Sequence, residues 1–144
     1  MERSPASGRR RNGWIWLITI FYTMSVGWTL LSFSLILSGS IPIKTAAQRA
    51  YFEALSSADI LLTVLIGVAN FSGALALFLL RRGAFRLFVV AFATTTLLSL
   101  WHIATKGWIQ ALGGADFVGA ISGYGLAAVV CVYSWKLIKK GTLV

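Results

Sequence analysis

The chain has 144 residues, 58% of them apolar and only 12% charged, with a mean hydropathy of +0.81. A soluble domain of this size keeps too much surface in water to hide that apolar content, so composition excludes an ordinary soluble fold and points to a bilayer. The net charge of +9 would suggest a nucleic-acid partner in a soluble protein, but its distribution along the chain argues for a topological role and for no nucleic acid.

Residues 1–13 are polar and basic and contain Pro5, Gly8 and Gly13, the composition of a disordered cytoplasmic tail. Four apolar stretches follow, at about 14–38, 59–80, 84–105 and 117–137. Each has the ~20 residues that a helix needs to cross a ~30 Å hydrocarbon core. Lipid offers no hydrogen bonds, so each stretch must satisfy its backbone internally, as a helix does. The first stretch follows an arginine cluster but exceeds the 7–15 residues of a signal-peptide core, so it is expected to stay as a membrane helix. The fold class expected is therefore an all-α membrane protein. It is an antiparallel bundle of four transmembrane helices forming one domain over 14–140, with a short outer interfacial helix.

Lys and Arg set the orientation. With the N-terminus inside, the inner segments hold Arg3, Arg9, Arg10, Arg11, Arg81, Arg82, Arg86, Lys136, Lys139 and Lys140, which is ten of the thirteen basic residues. The outer loops hold Lys44, Arg49 and Lys106, balanced by Glu53, Asp59 and Asp116. This positive-inside pattern is expected to place both termini on the cytoplasmic side, and the compact, basic-flanked design suits a bacterial inner membrane as against an organelle membrane. The basic residues would also attract anionic lipid of the inner leaflet. Trp14 and Trp16, Trp101 and Trp108, and Tyr133 and Trp135 mark helix ends, where amphipathic rings anchor at the interface.

In chain order, the hydroxyls of the first span (Thr19, Thr23, Ser25, Thr29, Ser32, Ser34) are expected to bond their own helix carbonyls or a neighbouring helix. After Pro42, Thr45 with Gln48 three residues on fits a capping box. Ala47, Ala50, Tyr51, Ala54 and Leu55 then share one face, which predicts a short amphipathic helix over 45–55, in the outer interface or folded over the bundle mouth. Asp59 opens the second span, where a helix N-terminus favours an acid. Asn70 lies mid-span, so its amide must face another helix and bond there or meet a ligand. The turn Arg81-Arg82-Gly83 forces an antiparallel hairpin. His102, the only histidine, sits in the last turn of the third span, and an interfacial bond to backbone or water is enough to explain it. Residues 106–116 connect to the fourth span.

The fourth span carries a stripe of small residues at every fourth position: Ala115, Gly119, Gly123, Ala127 and Cys131. Such a stripe admits a second helix closely, either inside the bundle or from a partner. Ala69 and Gly73 form a lesser version. Cys131, the lone cysteine, reads as a small buried hydrophobe.

No HExxH, phosphate loop, GxSxG or CxxC occurs, and no acidic pair at helical spacing lies inside a span. Small multidrug transporters also have four helices but carry a carboxylate in the middle of the first, which this chain lacks. No cofactor is expected, since one histidine supplies at most one axial ligand to a haem and no spacing suggests a metal.

The run Gly67-Val68-Ala69-Asn70-Phe71-Ser72-Gly73-Ala74-Leu75-Ala76-Leu77-Phe78-Leu79-Leu80-Arg81-Arg82 resembles the second-helix pattern of small four-helix bacterial membrane proteins of the DoxX-like group. The pattern is a polar residue, a Gly-containing apolar run and a basic turn. The resemblance covers about a third of the chain, from Ser56 to His102. It implies association with respiratory or redox membrane complexes. Where that group commonly has Glu, this chain has Asn70. The stretch Ser-Gly-Ser-Ile-Pro at 38–42 looks like the outer-loop start of a broad set of proteobacterial membrane proteins.

Two functions are compatible with these residues. The first is a non-catalytic accessory subunit that packs against a membrane protein partner or a second copy through Ala115, Gly119, Gly123 and Ala127. It is motivated by that stripe, the outer helix and the absence of buried charge. The alternative is a site at the outer mouth for a quinone, lipid or cation, formed by Asp59, Asn70, His102, Trp101 and Glu53. The alternative requires Asp59 and His102 to converge across the second and third spans.

Overall fold

The computed structural model of the chain describes residues 13–40, 42–43 and 45–143, with the backbone alone at Leu37 and 114–116. Arg9, Arg10 and Arg11 and the rest of the basic tail before Gly13 lie outside the described residues, as do Ile41 and Lys44. Six helices follow in order: α1 (Gly13–Leu37), α2 (Ala46–Glu53), α3 (Ser57–Phe78), α4 (Gly83–Lys106), α5 (Trp108–Ala111) and α6 (Gly114–Lys139). Among the described residues there is no strand.

α1, α3, α4 and α6 are long and apolar enough to cross a membrane. Their outward faces carry Met24, Trp28, Leu97, Val118 and Val129, each more than 60% exposed. Soluble monomers do not leave apolar surface on that scale in water. The chain is a multi-pass membrane protein built as a four-span helical bundle.

The spans stand in a row α1–α3–α4–α6. α3 packs on α4 most extensively, α1 lies on α3, and α6 lies on α4. The backbones of α1 and α6 scarcely approach each other, so the bundle has a seam between its first and last spans. Both described termini and the α3–α4 turn share one end, termed here the terminal end. The opposite, distal end carries α2 and α5, which pack on each other.

The core sits in the terminal half. Ile15, Ile18 and Tyr22 of α1, Ala74 and Leu77 of α3, Ala84 and Phe88 of α4, and Val130 and Leu137 of α6 form one buried cluster with Leu80 and Leu143. Small residues allow the closest approach there. A Cβ on Gly73 would stand 3.2 Å from the Phe88 ring, so α3 and α4 meet closely at this glycine. The hairpin turn closes tightly. The Arg81 amide donates to the Ala76 carbonyl at 2.8 Å and the Leu80 amide to Leu77 at 3.0 Å, the paired bonds of a Schellman motif. Leu80 takes the left-handed position with φ +56°, where glycine is usual, and its side chain is buried in the core. At the same end Arg82 Nε donates to the Leu143 carbonyl at 3.2 Å, holding the last described residue against the turn.

Three of the hydroxyls of α1 are satisfied within their own helix. Thr19, Thr29 and Ser34 each donate to the carbonyl four residues back, at 2.8–2.9 Å. α2 begins as its sequence dictates, with Thr45 Oγ1 accepting from the Gln48 amide at 3.1 Å. It folds over the distal end of the bundle, where Phe52 meets Phe33 of α1 at 6.2 Å between ring centres. α5, a single turn after the left-handed Gly107 (φ +63°), had no signature in the hydrophobic pattern.

Candidate functional site

The distal end is held by polar groups. Ser56 caps α3: its hydroxyl accepts from the Asp59 amide at 3.3 Å, and Asp59 Oδ2 accepts from the Ser56 amide at 2.7 Å and the Ser56 hydroxyl at 2.6 Å. This capping box fixes the carboxylate at the first turn of α3. From the last turn of α4, Lys106 Nζ pairs with Asp59 Oδ2, and His102 Nε2 lies 3.2 Å from Oδ1. The other ring nitrogen, Nδ1, is 2.9 Å from the hydroxyl of Tyr51 on α2. Four residues from three helices therefore form one chain: Tyr51, His102, Asp59, Lys106. Asp59 and His102 are 6% and 5% exposed, which corrects the expectation that no charge is buried. A buried carboxylate is tolerable only with such donors around it.

The polarity of the chain follows from its acceptors. A carboxylate can only accept, so Nε2 carries the proton toward Asp59. In the tautomer that places the single ring proton on Nε2, Nδ1 accepts from Tyr51 O–H. Burial, and secondarily the charge of Asp59, pushes the Tyr51 phenol up to about 12, which keeps that proton in place.

Beneath this chain two adjoining cavities of about 330 and 300 Å³ run down the bundle between α1, α3, α4 and α6. They share Tyr22, Ser25, Asn70, Thr95, Ser99 and Trp108 as walls. The distal one reaches Tyr51 and His102, and the deeper one reaches Phe88 and Phe92. Along α4, His102 to Phe88 is a distance of about 20 Å at 1.5 Å per residue. Gly123 and Ala127 line the deeper cavity, and no atom lies within 4 Å of where a Cβ on Gly119 or Gly123 would stand. The small-residue stripe of α6 thus makes room at Gly119 and Gly123, while its last member, Cys131, packs against the core. Its first member, Ala115, lies among the residues whose side chains are not described. Tyr124 holds α6 at this spacing from α4, its hydroxyl 2.5 Å from Ser99 Oγ and 3.3 Å from the Thr95 carbonyl.

The residues expected at the outer mouth divide. Asp59 and His102 converge directly. Asn70 lies deeper, on the wall of both cavities, and its amide has no hydrogen-bond partner among the described residues. The reading of Asn70 as a bond between helices is thereby replaced by that of a free polar group facing a cavity. The reading of His102 as bonded to backbone or water is likewise replaced by two side-chain partners. Trp101 and Glu53 are exposed and take no part. Adjacent residues on a helix point about 100° apart, so Trp101 faces away when His102 faces inward. Two members of this polar chain carry no separate signal in the sequence pattern. Lys106 was assigned to a loop although it stands four residues after His102 on the same helical face. Tyr51 was counted as apolar in the amphipathic stripe of α2. Asp59 and His102 are joined by no third His, Cys, Asp or Glu that would complete a metal site among the described residues.

Comparison with known proteins gives no similarity to set beside this geometry: no family model, no curated protein and no solved structure matches the chain.

Proposed function

We propose that the protein binds a small amphiphilic molecule taken from the membrane, holding it in the cavity between α1, α3, α4 and α6 with its polar end toward Tyr51 and His102. The observation that carries this reading is Asn70. An amide at bilayer depth that meets no protein partner needs another polar group, because lipid supplies none. Ser25, on the opposite wall, is likewise without a side-chain bond among the described residues. The seam between α1 and α6 gives the cavity a side from which a lipid-dissolved molecule can enter. The rest of the wall is mainly aromatic and aliphatic, the usual lining of a ligand cavity with a few fixed polar groups.

The reading includes a bacterial inner membrane with both ends cytoplasmic. What supports it is the cluster of Arg81, Arg82, Arg86, Lys136, Lys139 and Lys140, all exposed at the terminal end, where anionic lipid would meet them. Kinship with the DoxX-like group through residues 67–82 is compatible with it and adds no residue role.

The test is native mass spectrometry of the protein extracted in a mild detergent, wild type beside Asn70→Leu. Retained mass on the wild type that is lost from the variant is the expected result. An equal spectrum for both, with no adduct, would refute binding. A second reading, an accessory subunit, is favoured by the bare α6 face at Gly119. It would appear in the same spectrum as a stoichiometric second polypeptide.

A further inference from the structure

The chemistry at the distal end of the cavity restricts what the ligand can be. This step rests on the reading of the cavity as a binding site for an amphiphile and adds the class of molecule.

Among the described residues, neither cavity wall contains Asp, Glu, Lys or Arg. Asp59 and Lys106 pair with each other beside His102 and neutralise one another. A headgroup bearing a formal charge would find no counter-charge in the described wall. The ligand is therefore neutral.

The direction of the hydrogen bonds sets the second restriction. In the tautomer with the ring proton on Nε2, that N–H of His102 is used on Asp59 and Nδ1 is used by the proton of Tyr51. Tyr51 has spent its only proton. Its oxygen keeps lone pairs that no donor meets among the described residues, and both Tyr51 and His102 stand on the cavity wall. The free capacity at the head of the cavity is that of an acceptor, so it selects a ligand that donates. Each link polarises the next, since Asp59 draws on the imidazole proton and the imidazole on the phenol. The Tyr51 oxygen is thereby a better acceptor than an isolated phenol. The walls below hold six aromatic rings (Phe21, Tyr22, Phe88, Phe92, Trp108 and Tyr124), which suit a ring or an extended apolar chain.

We propose that the ligand is a neutral amphiphile with a hydroxyl head, and that this hydroxyl donates its hydrogen bond to Tyr51 Oη. Long-chain alcohols, alkylphenols and quinols share this chemistry. Fatty acids and phosphate esters are disfavoured by charge, and quaternary amines and fully oxidised quinones by the lack of a donor.

The experiment compares 4-nonylphenol with 4-nonylanisole, which is matched in shape and chain but has the hydroxyl methylated. Affinities are measured on the purified full chain in nanodiscs by displacement of a fluorescent alkylphenol. The phenol is expected to bind about tenfold more tightly, the scale of one buried hydrogen bond. Tyr51→Phe should remove the difference, while Tyr133→Phe, whose ring lies outside both cavities, should keep it. Equal affinities on the wild type would overturn the hydroxyl class and leave the amphiphile reading standing. A preference that survives in a folded Tyr51→Phe would overturn the role of Tyr51. Failure of either probe to compete, with no saturable binding at all, would overturn both. The wild-type comparison decides the ligand class by itself, even if Tyr51→Phe does not fold.

Discussion

The terminal and distal halves of this bundle are built from the same four spans by opposite means. In the terminal half, Ile15, Ala74, Leu77, Ala84 and Phe88 are nearly inaccessible and interlock, with Gly73 set against a ring. In the distal half few apolar residues are buried, Ala111 among them, and the helices are tied by Tyr51–His102, Asp59–Lys106 and Tyr124–Ser99. Apolar packing draws helices together until no space is left. Hydrogen bonds fix a distance, and where small residues such as Gly123 stand between the ties, space remains. One half thus serves as a clamp, and the other half holds a cavity open.

That comparison can be broken at its strongest point first. Leu77→Ala removes a fully buried side chain from the clamp and should cost about 2–5 kcal/mol, the range for such truncations. It is measured by unfolding in a denaturing detergent, and a loss below about 1 kcal/mol would show that the terminal half is not the core. Asp59→Ala leaves Lys106 and His102 without their acceptor. It should cost about 2–3 kcal/mol, with partial recovery in Asp59→Ala/Lys106→Met, since the uncompensated charge is then gone. No recovery would mean that the cap and not the charge carries the effect.

Smaller changes sharpen it. Tyr51→Phe should cost about 1 kcal/mol and release α2 while leaving α3 and α4 in place, visible as faster amide exchange confined to residues 46–53. Raising the pH should do the same. The folded state holds the Tyr51 proton more tightly than the unfolded chain, with its pKa raised from an ordinary 10 to about 12. Its contribution is therefore complete below about pH 10 and lost as the pH rises through about 12. Exchange of α2 that accelerates well below pH 10 would assign the latch to another group. The smallest effect is expected at Gly119→Leu, where a side chain meets open space. Stability should change by less than about 0.5 kcal/mol, and a large loss would place that face inside an interface.

Much of the architecture was legible in the sequence, because bilayer thickness fixes helix length and leaves few alternatives for a run as apolar as 57–78. The height of the site was legible too. The turn at Arg81–Arg82 makes α3 and α4 antiparallel, so residues about equally far from it lie at one level. Asp59 is 22 residues before Arg81, and His102 and Lys106 are 20 and 24 after Arg82. Their azimuth was not legible. In lipid a helix can be apolar on every side, so no hydrophobic face announces which side turns inward, and Trp101 looked as good as His102. Tyr51 was hidden by its own dual character, since a phenol fits an apolar stripe and still carries a donor. The fate of the α6 stripe was beyond reach, because GxxxG marks close approach without saying whether a helix or a void fills it.

The cavity itself is best tested by its resident tryptophan. Trp108 is on the wall of both cavities. The other five tryptophans, Trp14, Trp16, Trp28, Trp101 and Trp135, can be replaced by Phe, leaving its fluorescence alone. The measurement is quenching of Trp108 by 11-bromoundecanol in nanodiscs, with and without Gly123→Leu. Binding inside the bundle predicts quenching that saturates with the brominated alcohol and is lost when the leucine fills the space. Quenching that rises linearly and equally in both proteins would show collision from the bilayer only, and would contradict a ligand held between the spans.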